Sequence, residues 1–213
     1  MSDIFREIDE DLRRDRMERL FKRYGGIVLA GALALVAGTG GYTAWRSWEQ
    51  SRQQQETAAL FAAISQAAQG PGTGVEALAA FAGQARPGAA ALAQLNAAGL
   101  LAREGKTAEA VAIYDTLAGG PADAVYRDLA TLLSVMHQLD SGDPAQLQAR
   151  LQPLTGDASP WRFSAREMTA VLAARTGDKA KARTLFQQLA DDQQAPAGVR
   201  SRAADLATLY GKS

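Results

Sequence analysis

The chain has no cysteine, and His137 is the only histidine among its 213 residues. The first absence excludes a disulfide framework and any thiolate metal site. With one histidine, Cys–His pairs and multi-histidine zinc sites are excluded too. A Ser–His–Asp triad would have to use His137, but the sequence holds no G-x-S-x-G turn. His137 sits in a helical pattern beside Val135, Met136 and Leu139 and reads as a packing or surface residue. No G-x-x-x-x-G-K-[ST] phosphate loop is present. Pro71-Gly72-Thr73-Gly74 is rich in glycine, yet no strand precedes it and no lysine follows, so it reads as a loop. Asp191 with Asp192, and Asp140 with Asp143, fall at helix ends, where solvation and capping account for them. No catalytic, metal or cofactor residue is assigned, and a non-enzymatic protein is expected. An excess of charge is missing as well: the formal net charge is +0. Setting aside the first 24 residues, with seven bases and seven acids, and Arg46, 15 bases face 16 acids from Ser47 onward. That balance offers no electrostatic footprint for nucleic acid.

Long hydrophobic runs are also scarce, and the one exception is informative. Residues 25–44 read GGIVLAGALALVAGTGGYTA, without a charge. Twenty helical residues span roughly 30 Å, the thickness of a bilayer's hydrocarbon core, so a single transmembrane helix is expected here. Upstream stand Arg6, Arg13, Arg14, Arg16, Arg19, Lys22 and Arg23; a comparable window downstream holds only Arg46 and Arg52. This bias places the N-terminus in the cytoplasm and the rest across the membrane. Tyr24 on one side and Tyr42, Trp45 and Trp48 on the other suit the headgroup region. A cleaved signal peptide has a shorter apolar core and a small-residue cleavage site, neither of which this run shows. Gly26, Ala30, Ala34 and Gly38 fall at steps of four. They form either a smooth face for another membrane helix or simply the small-residue content usual in such helices.

Residues 1–24 place Ile4, Ile8 and Leu12 at steps of four, with Phe5 beside them and Met17, Leu20 and Phe21 further on. An amphipathic cytoplasmic leader is expected, resting on the membrane or docked on a partner. Its many acids favour the partner. Residues 45–56, including Gln53-Gln54-Gln55, form a helical connection to a soluble domain at 57–213. That domain is rich in Ala, Leu and Gln and poor in β-branched runs, which favours helix throughout. At about 165 residues beyond Trp48 it is long enough for a core of its own.

The soluble part repeats itself. Glu104-Gly105-Lys106-Thr107-Ala108-Glu109-Ala110, Ser141-Gly142-Asp143-Pro144-Ala145-Gln146-Leu147 and Thr176-Gly177-Asp178-Lys179-Ala180-Lys181-Ala182 each set a short polar turn before an apolar-periodic helix. From Ala110 to Leu147 is 37 residues and from Leu147 to Ala182 is 35, near the 34-residue period of tetratricopeptide repeats. Each turn glycine is expected to end a helix with positive φ. Ala110 and Ala182 offer small side chains where paired helices cross; Tyr114, Leu151 and Phe186 follow four residues later as large apolar ones. Leu92, Leu95 and Leu100, then Phe163, Met168, Val171 and Leu172, mark first helices, and Pro121, Pro160 and Pro196 close units. A weaker unit precedes these: Leu60, Phe61 and Ile64, a turn at Gly70 to Gly74, then Leu78 and Phe81, stopped at Pro87. A last helix from about Val199 to Tyr210 caps the stack. The expected fold is all-α, an N-terminal transmembrane helix followed by a tetratricopeptide-like right-handed α-solenoid of four helical pairs and a cap. Arg103 and Arg175 occupy equivalent places late in first helices. They either face the concave groove and hold a peptide's carboxylate or backbone, or serve helix C-termini, where cations are stabilising.

The opening MSDIFREIDEDLRRDRMERLFKRYG, the anchor GGIVLAGALALVAGTGGY, and the turns REGKTAEA and RTGDKAKA together resemble the ancillary SecYEG translocon subunit family (YfgM-like) of proteobacteria. The resemblance covers nearly the whole chain and rests on architecture and composition. It implies an inner-membrane protein with a periplasmic repeat domain, associated with Sec translocon subunits and a membrane-anchored periplasmic chaperone, and it carries over no catalytic residue. Against this adaptor stand a repeat scaffold for another cell-envelope complex, such as cell division or outer-membrane assembly, and an envelope enzyme. The enzyme would need a paired acid site that the sequence does not display.

Overall fold

A computed structural model describes residues 2–211, with the side chains of 22, 23, 26, 29–31 and 33–211, Pro71 excepted. Among them all regular structure is helical: α1 (Ser2–Gln69), α2 (Pro71–Ala82), α3 (Pro87–Arg103), α4 (Thr107–Ala118), α5 (Ala124–Gln138), α6 (Pro144–Leu151), α7 (Arg162–Arg175), α8 (Lys179–Asp191) and α9 (Ala197–Gly211). A single 3-10 turn, Gln152–Leu154, follows α6. The chain divides into two units, Met1–Gln55 and Glu56–Ser213.

In the first unit, leader, apolar run and connection lie on the one helix α1. The leader's apolar stripe at Ile4, Phe5, Ile8, Leu12, Met17, Leu20 and Phe21 lies outside the described side chains, as do Tyr24, Gly25, Ile27, Val28 and Ala32. Among the described residues no helix is long and apolar enough to cross a membrane. The described part of the run is nevertheless bare. Leu29, Leu33, Leu35 and Val36 are each at least 63% exposed, and at 100° per residue they point to more than one side of the helix.

The second unit is a stack of antiparallel pairs: the end of α1 with α2, α3 with α4, α5 with α6, α7 with α8, and α9 as the closing helix. Each helix from α2 onward packs on the next in sequence, and α3 also touches α5, α5 touches α7, and α7 touches α9. The first helices therefore form an inner layer and the second helices an outer one. The core follows this plan in four clusters, each joining a pair to the first helix of the next. Ala63, Ala67 and Leu78 meet Ala93 and Ala97; Ala98, Ala110 and Tyr114 meet Ala130; Val135, Leu147 and Leu151 meet Leu172; Ala170, Ala182 and Phe186 meet Ala203. No pair can bury its apolar face alone, and nearest-neighbour stacking does so.

The turns show which residues are required where. Gly105 (φ 78°) and Gly177 (φ 83°) are the glycines with positive φ among the described residues. Lys106 N–H bonds Leu101 O at 2.9 Å and Gly105 N–H bonds Ala102 O at 3.1 Å; Asp178 and Gly177 repeat the pattern onto Ala173 O and Ala174 O. These are Schellman ends, which need a left-handed residue that only glycine adopts cheaply. Asp178 and Asp143 then cap α8 and α6, accepting from Lys181 N–H at 3.0 Å and Gln146 N–H at 2.8 Å.

Three expectations are corrected. Gly142 does not take positive φ; a Cβ there would stand 3.1 Å from Gln138 O and from Leu147 Cδ1. Leu147 occupies the crossing position that Ala110 and Ala182 hold elsewhere, and Gly142 makes room for its larger side chain. Residues 71–74 are not a loop: the turn is Gly70 alone, and Pro71 opens α2, where its missing N–H costs nothing. Pro87 likewise begins α3 rather than stopping the helix before it, since α2 already ends at Ala82. Phe61 and Leu92 lie on the first helices α1 and α3 as the pattern expects, and both are exposed, at 65% and 38%.

Candidate functional site

The sequence-expected residues separate in space. Gly26, Ala30, Ala34 and Gly38 are all exposed on α1, and a Cβ added at Gly26 or Gly38 meets nothing within 4 Å. His137 is half-buried with its ring stacked on Tyr114, centroids 5.8 Å apart, which matches a packing histidine. Burial pushes the Tyr114 hydroxyl above its ordinary pKa, and the nearby Arg103 charge opposes part of that rise.

The two arginines have different surroundings. Arg175 donates from its two terminal guanidinium nitrogens to Leu139 O, at the C-cap of α5, and Gly142 O, in the turn that follows. This charge satisfies carbonyls that the helix leaves without partners. Arg103 is exposed and lines a cavity of about 460 Å³ with Ile64, Ala67 and Ala68 of α1, Leu78 of α2, Asn96 and Leu100 of α3, and Glu104. The cavity lies in the seam between two successive first helices, on the inner layer. A second groove of about 410 Å³ opens on the other layer, where Val75, Ala79 and Ala82 of α2 face Ala112, Ile113 and Thr116 of α4. A third, of about 420 Å³, runs along α8 by Arg183, Gln187 and Asp191.

One polar cluster escapes a periodicity reading. Ser134, fully buried on α5, donates to Asp115 Oδ1 of α4 at 2.6 Å and accepts from Arg150 of α6 at 3.1 Å and Gln138 at 3.0 Å. Arg150 also reaches Asp115 at 2.5 Å. The hydroxyl's one donor and two acceptor positions are all used, so the cluster ties the second pair to the third. The one sequence signal was a serine inside the buried stripe of α5. Further along, Arg202 of α9 holds Glu167 of α7 with two bonds of 2.9 Å. That hydrogen-bonded carboxylate raises the Arg202 pKa, as Glu104 raises that of Lys106 across 3.0 Å. Lys106, Glu104 and Arg202 are exposed while Glu167 is half-buried, and both pairs fasten neighbouring segments rather than poise a proton for transfer. Among the described residues no group of three metal-ligating side chains converges.

Antiparallel pairs stacked by nearest neighbours, with their first helices forming the inner layer, define a helical-repeat protein. Residues 18–208 match the family model of the tetratricopeptide repeat-like domain, and the chain belongs to that family. It is thereby a scaffold for protein–protein contact. No curated protein and no solved structure matches it.

Proposed function

We propose that this chain is a non-enzymatic adaptor or chaperone-like subunit of the bacterial inner membrane, crossing it once through 25–44, with residues 1–24 cytoplasmic and 57–213 periplasmic. Its partners are Sec translocon subunits and a membrane-anchored periplasmic chaperone, and it assists protein translocation or folding. The observation that carries the reading is the bare apolar surface of α1. Leu29, Leu33, Leu35 and Val36 stand at least 63% exposed among the described residues, and apolar surface on several sides of one helix is stable against lipid and costly in water. The charge bias around the run supports the orientation, and the whole-chain resemblance supports the partners.

The topology has a direct readout. Alkaline phosphatase fused after Trp48 in a bacterial host is expected to be active, and a reporter that works only in the cytoplasm is expected to be silent at the same joint. The reverse pattern refutes the orientation. The partners have another. Crosslinking in native membranes is expected to recover translocon subunits and a periplasmic chaperone. Exchange of residues 1–48 for an unrelated single-pass segment then locates the contact: loss places it in leader and anchor, retention in the repeats. Recovery of neither partner with either chain refutes the translocon assignment and leaves a scaffold for another envelope complex.

A further inference from the structure

We infer that the seam between α1 and α3 is a docking groove for an apolar peptide segment bearing one side-chain carboxylate, with Arg103 as the cation that pairs with it. The inference deepens the scaffold reading and rests on it. The internal repeat supplies the comparison. Arg175 and Arg103 are equivalent, each standing two residues before a positive-φ glycine. Arg175 closes its seam by reaching 36 and 33 residues back, to Leu139 O and Gly142 O. The same steps from Arg103 lead to Ala67 and Gly70. Gly70 O is already taken: Gly74 N–H and Thr73 Oγ–H both donate to it at 2.9 Å, because α2 starts at the very next residue. Arg103 is left with no hydrogen bond or ion pair among the described residues, at the rim of an open cavity.

The cavity's chemistry selects the occupant. Ile64, Ala67, Ala68, Leu78 and Leu100 make it chiefly apolar. Its volume of about 460 Å³ falls among ligand pockets, which run about 300–1,000 Å³. Glu104, the one acid on the rim, is held by Lys106 at 3.0 Å, so the uncompensated charge is that of Arg103. Asn96 spends its amide on Leu92 O at 2.8 Å, which leaves its carbonyl oxygen to accept a peptide N–H. Apolar side chains on the floor would dry the rim, where a guanidinium–carboxylate fork is stronger than in water.

The test uses the full-length chain in detergent micelles. The probes are arrayed acetylated and amidated pentapeptides with Leu, Ile, Val or Phe at four positions and Glu, Gln or Lys at the centre. The Glu series is expected to bind about tenfold tighter than the Gln series, and Arg103→Gln to abolish that preference while leaving the melting temperature unchanged. Ala68→Trp, which fills the cavity from an exposed position, is expected to remove binding of both series. Equal binding of the three series, tighter binding of a Gln peptide with a free C-terminal carboxylate, or no binding to the parent chain overturns the groove assignment. So does a preference that survives Arg103→Gln. Any of these results alongside intact crosslinks to envelope partners leaves the adaptor reading standing, whereas lost crosslinks with a working groove would refute only the partners.

Discussion

Replacing Phe186 with alanine will destabilise the end of the stack by about 3–5 kcal/mol, the usual range for a buried aromatic cut to a methyl group. Phe186 is wholly buried on α8 and stacks on Tyr210 of α9, ring centroids 5.9 Å apart. Around it lie Phe163, Ala170 and Ala173 of α7 and Val199, Ala203 and Ala207 of α9. The alanines of α7 and α9 around it sit on fixed helix backbones and cannot move in to fill the gap. In a stack of nearest-neighbour contacts the loss is local. Hydrogen exchange should accelerate in α7 to α9 and stay unchanged in α3 and α4. Phe61→Ala is the matched control: that side chain is 65% exposed, and its loss should stay within roughly 0.5 kcal/mol. A Phe186 variant that melts with the parent would refute the assigned core.

The second large effect has the opposite sign to the one propensity suggests. Gly74 lies inside α2, where alanine ordinarily gains about 1 kcal/mol over glycine. Here a Cβ would sit 2.2 Å from Ala67 Cα and 2.5 Å from Ala67 Cβ. Two backbones meet at that point, so neither side chain rotation nor a small shift relieves the clash, and α2 must move off α1. Gly74→Ala is expected to cost at least the 1–3 kcal/mol typical of overpacking, at roughly that scale. Gly72→Ala, in the same helix with nothing within 4 Å, should be neutral or stabilising. Urea titration of both variants, followed by circular dichroism, separates the cases. Equal behaviour of the two would mean that α2 does not press on α1 as described.

Much of this architecture was legible because repetition makes a weak signal add up. Ala110, Tyr114, Ala182 and Phe186 are buried where the period put them, and Gly105 and Gly177 turn the chain with the φ their positions called for. Four pairs and a cap follow from helix spacing plus turn residues. Gly142 broke the pattern because Leu147 replaced an alanine across from it, so steric room outweighed backbone conformation. Phe61 and Leu92 lie on first helices where the pattern put them, yet both are exposed, because periodicity marks an apolar face without saying whether a neighbour covers it.

The site divides along the same line. That Arg103 and Arg175 are equivalent is written in the sequence, since both precede a turn glycine by two residues. That one is spent on carbonyls and the other is free depends on whether the preceding turn leaves a carbonyl to reach, and Gly70 O is consumed by α2 while Gly142 O is not. The sequence by itself determined the helical class, the repeat period, the turn glycines and the charge-free run at 25–44, because each depends on residues close in the chain. Only the tertiary structure decided that Gly74 must be glycine, that Ser134 joins Asp115 and Arg150, and that the α1–α3 seam stays open. Each of those depends on the distance between backbones far apart in sequence, which no local pattern encodes.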